Sequence, residues 1–225
     1  MTTLPSSSQL KERLEELIAS GKDNFHELQT TLNHYFHPGS IDVNIMTKVD
    51  KDNFKDHEQL PVIYNDAHSA LRGFMNSTTN SSVVFSAGMN PRLFSYMESF
   101  DAFYPNENGQ FQKKIILKVS DFRSAMIQGN FLAKKGLWVS EYRIESGLNC
   151  GGHAFATDGF LLGPILEEFK NKKDELIQSA YSLFTNALAS KNKEVPNEPP
   201  VLKITVQGGV GTAEEHQFLL DHYQV

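Results

Sequence analysis

The 225-residue chain has one cysteine, Cys150, so no disulfide can form within it. A chain without disulfides fits a reducing compartment, and a cytoplasmic location is the expectation. Cys150-x-x-His153 falls short of the four ligands that structural zinc needs, so no metal site is expected. No run of eighteen apolar residues occurs, which excludes a membrane-spanning helix of ordinary length. Met1-Thr2-Thr3-Leu4-Pro5 has no basic region followed by an apolar core, so no signal peptide is expected. Asn76-Ser77-Thr78 and Asn80-Ser81-Ser82 then read as polar loop rather than glycosylation sites. Positive charge is scarce: 21 Lys and Arg stand against 27 Asp and Glu, a net charge of −6. That balance argues against a duplex nucleic-acid partner, which needs a basic face. The partner expected instead is a small molecule.

Forty per cent hydrophobic and 21% charged residues are ordinary globular values. The first 39 residues read as a helical extension. Leu10, Leu14, Leu17 and Ile18 have helical spacing over 8–20, and Phe25, Leu28, Leu32 and Phe36 over a second helix ending at Pro38-Gly39. His26, His34 and His37 read as solvated side chains there. From residue 40 to 225, strands and helices alternate. Strands are expected near 41–47, 83–88, 114–119, 137–145 and 201–207. Between them lie helices capped by Asn65 or Asp66, by Asn90 before Pro91, and by Asp121, a long helix from Pro164 to about Ser190, and a final one opened by the capping box Thr212–Glu215. Five strands with long connections mean an α/β fold with a parallel sheet, either a barrel or an open doubly wound sheet.

Two glycine-rich segments follow strands. Ser146-Gly147-Leu148-Asn149-Cys150-Gly151-Gly152-His153 ends the fourth strand and carries an imidazole. Gly208-Gly209-Val210-Gly211-Thr212 lies between the fifth strand and a helix start, where free N–H groups and the helix dipole favour a phosphate. Neither segment is a Walker loop or the dinucleotide fingerprint. Ligands of α/β proteins collect at such strand ends.

Residues 146–153 resemble, without gaps, the Gln-Gly-x-Glu-Ala-Gly-Gly-His segment of the nitronate monooxygenases. These are FMN-dependent (β/α)8 barrels, related to the barrel group that includes the synthase domain of glutamate synthase. Pro200-Val201 through Gly211 is similar to that family's Pro-Val-x-x-Ala-Gly-Gly-Ile segment, and Val43-Asn44-Ile45 to its Val-Asn-Leu strand. The resemblance implies an FMN-dependent oxidoreductase of the TIM-barrel type. In it, His153 would be the catalytic base, taking a proton from the carbon beside a nitro or similar group. Asn44, Ser146, Gly151, Gly208 and Gly209 would hold FMN, with Lys118 near cofactor or substrate. Ser146 and Asn149 stand where the family has glutamine and glutamate. Five strands where a barrel needs eight imply an incomplete barrel, with exposed sheet edges that call for a homo-oligomer or for the remainder of the barrel. Two alternatives stand beside this reading: a non-catalytic barrel segment of a longer protein, and a Schiff-base lyase using Lys118.

Overall fold

The computed structural model describes residues 7–20, 25–35, 40–46, 50–86, 88–145, 162–208 and 210–225. The chain divides into two compact units, residues 1–40 and 41–225. In the first, α1 (Gln9–Ala19) is capped by the Ser8 hydroxyl, and α2 (Phe25–Tyr35) follows. Arg13 of α1 reaches Glu27 of α2 at 3.2 Å.

The second unit is built on a parallel sheet of β1 (Asp42–Ile45), β4 (Ser81–Phe85), β5 (Lys113–Val119), β6 (Val139–Glu145) and β7 (Lys203–Gln207). A two-residue-strand hairpin, β2 (Phe54–Lys55) with β3 (Glu58–Gln59), occupies the loop after β1, where no strand is expected from the sequence. The five large strands lie side by side in chain order, all parallel. The order never reverses, so the sheet has no switch point of the doubly wound kind. Right-handed crossovers between successive neighbours carry the helices that connect these strands to the same side. Among the described residues, β1 and β7 each pair on one edge only, and apolar residues flanking these edges are exposed: Ile41, Met46 and Val201.

The core lies on the helix side alone. Val83 and Phe85 of β4, Ile115, Leu117 and Val119 of β5, Tyr142 and Ile144 of β6, and Ile204 of β7 alternate along their strands into one cluster. Onto them pack Leu71 and Phe74 of α3 (Asp66–Met75), Leu93 and Phe94 of α4 (Pro91–Tyr96), Ala125 and Leu132 of α5 (Phe122–Ala133), and Phe169, Leu176 and Phe184 of α6 (Leu162–Ser190). The opposite face is mainly polar, with Val84 and Ile116 buried at its centre. On that face of β5, Lys114 is exposed, Ile116 buried and Lys118 largely buried.

Three of the expected caps form, at Asn90, at Asp121 and in the Thr212–Glu215 box. α3 is capped differently. Asn65 makes no cap bond and turns to Asp52. The carboxylate of Asp50, 17 residues upstream, instead accepts from the Ala67 N–H at 3.0 Å. Asp50 also accepts from Asn90 at 2.9 Å and lies 3.1 Å from His68 Nδ1. One buried carboxylate thus joins the starts of α3 and α4. Lys113, buried at the start of β5, donates to Ser77 and Thr79 in the loop after α3. Burial without a carboxylate partner lowers its pKa.

α5 and β6 touch where side chains would forbid it. A Cβ on Gly129 would lie 1.8 Å from Tyr142 Oη. That hydroxyl is buried, with no hydrogen-bond partner among the described residues, and burial raises its pKa. Gly129→Ala should therefore lower unfolding stability by about 1–3 kcal/mol through overpacking, despite the better helix propensity of alanine. Tyr142→Phe in the same background should recover part of the loss, read as the denaturant midpoint. A second expectation concerns Glu98, bonded by Lys135 at 2.6 Å and Lys191 at 2.7 Å. Burial alone would raise this carboxyl, but the two lysines outweigh it and hold it below its ordinary 4.5. Its stabilisation is present above 4.5 and disappears as pH falls through the depressed value. Unfolding midpoints of wild type and Glu98→Gln should converge in that acid range and separate at neutral pH.

Candidate functional site

The polar face of the sheet is arranged in layers by strand register. Asn44 of β1 aligns with Val84, Ile116 and Glu141. One step toward the strands' C-terminal ends, Lys118, Arg143 and Thr205 stand in register on β5, β6 and β7. At the rim, Glu145 aligns with Gln207. Side chains at every second residue of a strand share a face, which is why Glu141, Arg143 and Glu145 all point here.

The charged groups form two sets. Lys118 Nζ meets Glu145 at 2.9 Å, both well buried. Arg143 donates through Nε to Glu141 at 2.8 Å and through Nη2 to Asp42 at 3.4 Å. Thr205 donates to the same Glu141 oxygen at 2.6 Å. Burial would lower the Arg143 pKa, but bonding and charge from Glu141 and Asp42 outweigh it and raise it, so the guanidinium stays charged.

The Arg143–Asp42 contact fixes the shape of this face. Their strands, β6 and β1, are separated by β5 and β4, a distance of about 14 Å in a flat sheet. They are also out of step: Asp42 aligns through Ser82 with Lys114, whereas Arg143 aligns with Lys118, four residues further along β5. A 3.4 Å contact across that offset requires the sheet to curl, with the polar face concave.

Of the residues singled out in the sequence, the structure brings Asn44 and Lys118 onto this concave face and Gly208 to its rim, at the end of β7. Gly208 has φ +82°, a conformation that favours glycine. Ser146, Gly151, His153 and Gly209 lie outside the described residues. Glu145 and Gln207 are nonetheless register partners. The two glycine-rich segments therefore leave neighbouring strands at one level.

The expected phosphate seat is altered by its own helix. The N–H groups of Gly211 and Thr212, free by the sequence reading, donate to the Glu215 carboxylate at 2.7 and 3.0 Å. An anion does sit at this turn, but the chain supplies it.

Sequence reasoning missed Asp42, Glu141, Arg143, Glu145 and Thr205. The available signal was the alternation Glu141-x-Arg143-x-Glu145, charges at every second position of a strand whose other face is apolar. A cleft of about 670 Å³ lies at the opposite end of the sheet, between 105–109 and 194–200, and shares none of these residues. Among the described residues, no group of three His, Cys, Asp or Glu side chains could hold a metal, and no helix is long and apolar enough to cross a membrane.

No protein-family model, curated protein or solved structure matches this chain.

Removing the central cation leaves Asp42 and Glu141 without their shared positive partner, Glu141 keeping only its bond from Thr205. Arg143→Met should cost about 2–3 kcal/mol of unfolding stability, the usual penalty for breaking a buried pair reduced for partial exposure. Asp42→Asn, which keeps the guanidinium and its Glu141 bond, should cost about 1 kcal/mol. Urea unfolding at neutral pH gives both values; equal losses would mean that Arg143 does not hold the face together.

Proposed function

We propose that the concave face and its C-terminal rim form the site of an FMN-dependent oxidoreductase, nitronate monooxygenase-like, and that the sheet is part of a (β/α)8-type barrel. The observation that carries this reading is convergence at one rim. Two glycine-rich segments, one bearing His153, leave adjacent strands at the same level, on the side where Asn44 and Lys118 stand. Strand order, curl and helices on one side only favour the barrel over an open sheet.

Among the described residues, Asn44 and Gly208 would hold the cofactor, with Lys118 near cofactor or substrate; Ser146, Gly151 and Gly209 are the further candidates. The Asn44 side chain offers both a donor and an acceptor from an exposed position. A phosphate would either sit at Gly208 or displace Glu215 from Gly211 and Thr212. Bound FMN would supply the electron acceptor. His153 would take the proton from the carbon next to the acidifying group, a task suited to an imidazole near neutral pH. Asp42, Glu141 and Thr205, all on strands, would keep the wall of the site rigid.

The lyase alternative has less support. A Schiff-base lysine must first leave its ion pair, and Lys118 is engaged with a buried Glu145 at 2.9 Å.

FMN added to the 225-residue protein should be taken up with quenching of its fluorescence. Gly208→Glu, which adds a side chain at positive φ and a negative charge, should abolish uptake. His153→Ala should bind FMN like wild type and lose roughly 10²–10⁴-fold in turnover. Absence of uptake by a folded wild-type protein refutes the reading.

A further inference from the structure

Lys118 and Arg143 are directly in register on neighbouring parallel strands and point to the same face. Adjacent strands are about 5 Å apart, and like charges set opposite one another on a sheet repel. Each cation is restrained from the side. Glu145 takes Lys118, and Glu141 with Asp42 takes Arg143. These carboxylates do not stand between the two cations: Glu141 and Glu145 lie one layer below and one layer above them on β6.

Neither cation is exhausted by its partners. Arg143 spends Nε–H and one Nη2–H, and its Nη1 donors have no partner among the described residues. Among the described residues Lys118 has one carboxylate partner for three N–H groups. The side chains are 24% and 13% exposed, Arg143 being the more open to the concave space. The anchoring groups all sit on strands, so the donors are preset rather than gathered when a ligand arrives.

We infer that Lys118 and Arg143 together form a receptor for the two oxygens of an organic carboxylate, and so select the substrate of this site. The proposal rests on the rim being the substrate site and deepens that reading. The planar guanidinium matches a pair of oxygens, and the ammonium beside it adds a point charge. The anion would lie over both cations, one layer inside the rim. This placement relieves the repulsion between them without disturbing Glu141 or Glu145. Phosphorylated and doubly charged ligands are disfavoured, because three carboxylates, Asp42, Glu141 and Glu145, already share this face.

The test uses the whole protein without flavin, so it is independent of cofactor uptake. Propionate is titrated by calorimetry into wild type, Lys118→Gln, Arg143→Gln and Lys114→Gln, with sulfate as the divalent control. Circular dichroism checks folding. Wild type should bind propionate saturably and more tightly than sulfate. Each of Lys118→Gln and Arg143→Gln should weaken it at least tenfold. Lys114→Gln, on an exposed lysine of the same strand face, should change it less than twofold. If Arg143→Gln fails to fold, Lys118→Gln decides alone. No saturable propionate binding by wild type, or equal binding by Lys118→Gln, overturns the proposal. A wild type that takes up FMN but binds no propionate would sink the anion receptor and leave the flavin reading standing; a wild type that binds propionate through Lys118 and Arg143 but takes up no FMN would do the opposite.

Discussion

One ion pair sets the geometry on which the rest depends. Arg143 and Asp42 belong to strands separated by two others, and they meet only because the sheet bends toward its polar face. Glu141 and Thr205 extend the link to β7, so four side chains tie three of the five strands together. An apolar core of similar size would drive collapse without fixing curvature, because dispersion contacts have little directionality. Charged hydrogen bonds are directional, and a half-buried network tolerates few arrangements.

That curvature divides the labour between the two faces. The helix side carries the buried hydrophobic cluster and hence most of the stability. The concave side is mainly polar around buried Val84 and Ile116, and it keeps exposed donors such as Asn44. Where the faces meet, at the strands' C-terminal ends, capping groups organise the loops. Asp50 joins two helix starts, and Glu215 closes the turn after β7. At the N-terminal ends the connections are held by Lys113 with Ser77 and Thr79, and by Glu98 with Lys135 and Lys191. Those interactions serve stability, and none reaches the concave face.

What could be read from the sequence was local. The caps at Asn90 and Asp121 and the Thr212–Glu215 box involve residues three apart, and all three form. The five strands appear as expected in number and nearly in place, because their apolar alternation is strong. What could not be read was remote in the chain. Asp50 accepts from a helix N–H 17 residues on, whereas Asn65 and Asp66, adjacent in the chain, read as the caps. Asp42 and Arg143 are 101 residues apart, and nothing in either neighbourhood signals the other. The hairpin at 54–59 has strands of only two residues, too short for a periodic pattern. Gly208 was legible as a special backbone position, whereas the occupation of the turn beyond it by Glu215 was hidden in what read as an ordinary capping box.

The central claim is that the concave face and its rim, rather than any other surface, receive the ligand. Hydrogen exchange followed by mass spectrometry, with and without FMN, tests it most directly. Slower exchange is predicted in peptides covering 40–46, 114–121, 140–153 and 203–212, with no change at 105–109 and 194–200. Protection confined to the cleft between those last two loops, or equal exchange everywhere in the presence of bound FMN, would contradict it.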